Sequence, residues 1–136
     1  MIKIIYGSKG TGKTKQIIDM ANAALETTGG YLVFLADTNR YMREIRYQIR
    51  FLNTVECSIK GEDCLIGFIK GLISGNYDIK EIFIDGAARM LGTDIPGMES
   101  FMARLDKIAK ENEVEFILTV SSDKENMPEF MLKYLN

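Results

Sequence analysis

Histidine and tryptophan are both missing from this chain of 136 residues. Without histidine there is no imidazole to act as general base or metal ligand, and every histidine-containing triad is excluded. Cysteine is scarce. Cys57 and Cys64 have six residues between them, a spacing that fits neither a CxxC redox pair nor a zinc knuckle, so reduced and partly buried thiols are expected. No apolar run approaches the roughly 20 residues of a membrane span, and residues 1–6 are too short for a secretory h-region. The expected compartment is the cytoplasm, with no membrane partner. Excess charge of one sign is also lacking. Lys and Arg number 17 against 19 Asp and Glu, a net charge of −2. That balance argues against a dedicated nucleic-acid binder and leaves only a local patch open.

What is present suits one globular unit over residues 1–136. A hydrophobic fraction of 46% supports a single core, and there is no repeat, linker or low-complexity tract. Apolar runs alternate with helical spacing. Strands are expected at residues 2–6, 31–36, 80–85 and 114–120, with a short edge strand at 55–59. Helices are expected at residues 13–28, 40–52, 64–73, 98–112 and 128–134. Alternating strands and helices with short connections predict an α/β domain whose four- to five-stranded, mainly parallel sheet carries helices on both faces.

The informative segment is Gly7-Ser8-Lys9-Gly10-Thr11-Gly12-Lys13-Thr14, which satisfies GxxxxGK[ST] between an apolar strand and an amphipathic helix. Glycines let the backbone curl with its N–H groups inward as an anion nest, and the following helix offers its positive dipole end. Lys13 can reach β- and γ-phosphates, and the Thr14 hydroxyl can ligate Mg²⁺. This motif resembles the Walker A loop of the P-loop NTPase superfamily, and the chain is similar to small bacterial P-loop ATP-binding proteins. The resemblance implies a Walker B strand ending in an Asp beside the metal, and Ile82-Phe83-Ile84-Asp85 looks like it. It also implies ATP and Mg²⁺ as ligands, Lys13 and Asp85 as catalytic residues, and Thr14 with Asp85 at the metal.

Departures from the pattern matter as much. Many ATP-hydrolysing members place a Glu after the Walker B Asp to polarise water, and here that position is Gly86. No NKxD motif reads guanine. A RecA-like arrangement would put the 114–120 strand between the 2–6 and 80–85 strands, and a kinase-like one would make those two neighbours.

Three functions stay open on these residues. One is a slow or partner-stimulated ATPase. Another is a small-molecule phosphotransferase, with Asp37 as base and Arg40, Arg43, Arg46 and Arg50 on one face of the 40–52 helix to receive an anionic acceptor. The third is a nucleotide-gated interaction module, in which the glycine-containing 86–97 segment moves and exposes a surface to a protein partner. For Asp37, helix N-capping is the structural alternative. Ser121 and Ser122, at the end of the last strand, could meet the γ-phosphate or simply form a turn.

Overall fold

β-Branched and aromatic residues dominate the strands, and their alternation sends successive side chains to opposite faces. A computed structural model describes residues 1–135. It contains strands β1 (Ile2–Gly7), β2 (Tyr31–Ala36), β3 (Arg50–Asn53), β4 (Ile79–Asp85) and β5 (Glu115–Ser121). The helices are α1 (Lys13–Ala24), α2 (Glu62–Gly75), α3 (Ala87–Leu91), α4 (Glu99–Asn112) and α5 (Glu129–Leu132). All five strands form one sheet in the order β1-β5-β4-β2-β3, with every neighbouring pair parallel. β5 lies between β1 and β4, which is the RecA-like order.

The two faces are unequal. Val33, Leu35, Ile82, Ile84, Phe116 and Leu118 look toward α2, α3, α4 and the C-terminal segment. Leu32, Phe34, Phe83 and Ile117 look toward α1 and the segment carrying Ile45 and Ile49. Phe101 of α4 is fully buried in the thicker layer, so its truncation to Ala costs about 3–5 kcal/mol. Beyond β1, the edge is closed by the chain end, where the Ile4 N–H donates to the Tyr134 carbonyl at 3.1 Å.

One expected element is replaced. Residues 40–52 do not form a helix: a single 3₁₀ turn spans Met42–Glu44, and β3 occupies Arg50–Asn53. The apolar spacing was compatible with a helix, but tertiary partners take the backbone groups a helix would use. Asn22 of α1 donates to the Glu44 carbonyl at 2.8 Å and accepts from the Arg46 N–H at 3.0 Å. β2 needs a neighbour on its outer side, and β3 supplies one, with Phe51 stacked on Phe34 at 6.1 Å between centroids. The edge strand is therefore at Arg50–Asn53 and not at residues 55–59. The four arginines consequently share no helix face. Cys57 and Cys64 are both exposed free thiols, not partly buried ones.

A parallel sheet gathers its strand C-termini on one rim. Gly7 is in register with Ser121, and Ala36 with Asp85, so the ends of β1, β5, β4 and β2 are brought side by side. At the other rim, Glu81 faces Glu115 across β4 and β5. Burial, then the charge and hydrogen bonding of Glu115, raise the Glu81 carboxyl above its ordinary value of 4.5, with Lys3 pulling the other way.

Candidate functional site

β1 ends at Gly7, and α1 begins at Lys13 after a loop that turns through left-handed backbone at Gly10 and Gly12, with φ of 86° and 84°. Side chains are disfavoured at such angles, which is why the spacing of glycines is needed. Gly7 has a packing reason as well: a Cβ there would lie 2.6 Å from Thr11 Oγ1. The loop is tied to itself, since Thr11 Oγ1 and Lys13 Nζ both donate to the Ser8 carbonyl, at 2.7 and 2.9 Å. No side chain caps the N-terminus of α1. Its first amides and the positive end of its dipole therefore face the loop without a competing acceptor.

Lys13 is 9% exposed. Among the described residues its amine makes one hydrogen bond, to the loop's own carbonyl, and no ion pair. A buried ammonium without a carboxylate is costly unless an anion completes it. Across the rim, Asp85 is 8% exposed, and its Oδ1 accepts a 2.7 Å bond from the Thr119 hydroxyl of β5. That hydroxyl in turn accepts from the Gly86 N–H at 3.1 Å. Thr119 thereby fixes both the carboxylate and the turn that follows it.

A pocket of about 980 Å³ joins these groups. It is lined by Lys9, Gly10, Gly12, Lys13 and Thr14 from the loop, by Asp85 and Thr119, and by Asp37, Arg89 and Ser121. Asp37 does not cap a helix. Its two oxygens accept from Arg89, Oδ2 from Nε at 2.8 Å and Oδ1 from Nη2 at 3.2 Å, while Thr38 Oγ1 accepts from the Arg40 N–H. The bonds to Asp37 raise the Arg89 guanidinium above its ordinary value, against the opposing effect of burial. Gly86 is left-handed, with φ 93°, and a Cβ there would collide with the Arg89 guanidinium. The position after Asp85 is thus covered by the Arg89 guanidinium.

Of the four arginines once expected together, Arg40 lines this pocket, Arg46 pairs with Glu26 at 3.3 Å, and Arg50 borders a separate groove. Ser121 reaches the pocket, whereas the Ser122 hydroxyl donates to the Asp123 carbonyl at 2.9 Å. Sequence reasoning missed Thr119 and Arg89. The signal for Thr119 was a lone hydroxyl inside Phe116-Ile117-Leu118-Thr119-Val120. For Arg89, whose partner Asp37 is 52 positions away, the residues offered no local signal.

The residues fit a phosphate group with a hard divalent cation. A hydroxyl from Thr14 and a carboxylate from Asp85 are oxygen donors, and no group of three or more His, Cys, Asp or Glu forms a metal cage among the described residues. Mg²⁺ is commonly held in this way, through one or two protein oxygens, phosphate and water. Among the described residues, no helix is long and apolar enough to cross a membrane.

No protein-family model matches this chain, and no curated protein matches its sequence. Among solved structures it is similar to the flagellar accessory protein FlaH from Methanocaldococcus jannaschii, with a TM-score of 0.55 and 15% identity. The match covers 97% of this chain and 65% of that one. At this identity the likeness is one of fold.

Proposed function

We propose that the chain binds Mg·ATP at the 7–14 loop and acts as a slow or partner-stimulated ATPase. The observation that carries this reading is the buried Lys13 amine, paired with no carboxylate, in one pocket with Asp85. Loop amides, the α1 dipole and Lys13 would receive the phosphates, and Thr14 and Asp85 would hold the metal. A bound Mg²⁺ would neutralise charge on the phosphates.

Slow turnover follows from what the carboxylates are doing. Gly86 offers no side chain to orient water, and the Arg89 guanidinium lies over it. Asp37, at the end of β2, lines the pocket, yet both of its oxygens are committed to Arg89. Oxygens so engaged are not free to orient a water. Stimulation then requires something that releases Asp37, or a carboxylate brought by a partner.

The phosphotransferase alternative loses its arginine-bearing helix: Arg40 still lines the pocket beside Asp37, whereas Arg46 pairs with Glu26 and Arg50 borders a separate groove. The test of the main reading is phosphate release together with Mg·ATP affinity, measured for the wild type and Lys13→Ala. Measurable binding lost in the variant supports the site. Equal affinity in both proteins sinks it.

A further inference from the structure

The ion pair between Arg89 and Asp37 stands inside the candidate nucleotide pocket, and the inference drawn from it rests on the reading of that pocket as an ATP site. The pair joins α3 to the end of β2, 52 positions apart in the chain. Its two halves differ in freedom. The Asp37 side chain is 20% exposed, and the Arg89 side chain is 62% exposed on a flexible stem. The carboxylate is therefore the fixed member and the guanidinium the one able to swing. Arg89 lies against Gly86 and shares the pocket with Lys13 and Asp85.

A guanidinium binds the paired oxygens of a carboxylate and those of a phosphate with the same planar fork. The two are alternative acceptors for one donor set. We propose that Arg89 is a sensor of the terminal phosphate that Asp37 holds in reserve: the γ-phosphate of ATP competes with Asp37 for the guanidinium, and its capture of Arg89 frees the Asp37 carboxylate. ADP lacks the competing group and leaves the pair closed. Breaking the pair therefore opposes ATP binding alone, and the new contact favours ATP alone. The same motion frees Asp37 to orient water, but only in the fraction of ATP-bound molecules in which the pair has opened, so turnover stays slow until a partner raises that fraction.

The test is equilibrium binding of a non-hydrolysable ATP analogue and of ADP, each with Mg²⁺. The proteins compared are wild type, Arg89→Gln, Arg89→Lys, Asp37→Asn and the Asp37→Asn/Arg89→Gln double variant, all with intact circular dichroism. Arg89→Gln is expected to weaken the analogue about tenfold, the loss of one charge-assisted contact, and to leave ADP within about twofold. Arg89→Lys recovers part of the loss. Asp37→Asn, a near-isosteric change, tightens the analogue several-fold, and that gain vanishes in the double variant. Equal weakening of both nucleotides by Arg89→Gln would overturn the proposal, as would an Asp37→Asn protein with unchanged affinity for the analogue. Either result would make the pair a strut between β2 and α3. A wild-type protein that binds neither nucleotide removes the ATP-site reading itself, an outcome distinct from those two.

Discussion

The two rims of the sheet treat their carboxylates in opposite ways. At the C-terminal rim, Asp85 receives the Thr119 hydroxyl and Asp37 receives the Arg89 guanidinium. At the N-terminal rim, Glu81 and Glu115 face one another, and Lys3, 3.5 Å from Glu115, is the cation that offsets them. The contrast follows from parallel topology. In a parallel sheet the helices that follow strands begin at the strand C-termini, as α1 does after β1 and α3 after β4. Their positive ends collect there and make that rim favourable to anions. The far rim has no comparable source of positive field, so two carboxylates in register there repel.

Four measurements put this contrast to the test. The largest effect is expected from Lys13→Ala, which removes the buried amine at the proposed phosphate site. Mg·ATP affinity should fall by on the order of 1.5–3 kcal/mol, roughly 10- to 100-fold by titration calorimetry, with the fold intact. An unchanged affinity would mean that the favourable rim is not the binding rim.

Next is Thr119→Val, which keeps the shape and deletes the hydroxyl between Asp85 and the Gly86 N–H. Leaving those groups unsatisfied should cost about 1–3 kcal/mol in urea unfolding and raise the Mg²⁺ needed to support ATP binding. A wild-type urea midpoint would show that water replaces the hydroxyl freely.

Gly86→Ala is expected to cost about 1–2 kcal/mol from its left-handed backbone, with the flexible Arg89 guanidinium moving aside at little extra cost. In an Arg89→Ala background the cost should therefore be nearly the same, and a double-mutant cycle measures the difference. A much smaller cost in that background would mean that Arg89 is held rigidly against Gly86.

The smallest effect belongs to the other rim. The Glu81 carboxyl is raised in the folded chain above its ordinary 4.5, so the folded state holds this proton more tightly. Its stabilising contribution is complete below pH 4.5 and is lost as pH rises through the raised value. At neutral pH the ionised Glu81 is thus a burden, and Glu81→Gln should raise Tm at pH 7 with no gain below pH 4.5. A uniform shift at all pH values would point to altered packing instead of relief of the burial and charge cost on Glu81.

Much of the C-terminal rim could be read in the residues because its chemistry is local. Residues 7–14 are contiguous, and the left-handed turns at Gly10 and Gly12 follow from their glycine spacing. Asp85 was readable from the apolar strand before it. Asp37 was noticed, but its role in capping was the wrong structural alternative, because its partner Arg89 comes from α3. The 40–52 segment misled for a related reason. Its periodicity described two buried residues, Ile45 and Ile49, correctly, while Asn22 and β2 decided the backbone.

Short-range pattern alone was enough for the parallel α/β class, the glycine-spaced loop carrying Lys13 and Thr14 between β1 and α1, and the strand that ends in Asp85. These depend on side-chain period and on conformational rules that act within a few residues. Only the tertiary structure decided that β5 lies between β1 and β4, that residues 50–53 close the sheet as an edge strand, and that Arg89 covers Gly86 while holding Asp37. Those outcomes turn on which distant groups satisfy one another's hydrogen bonds and charge, a competition settled only when the whole chain is packed.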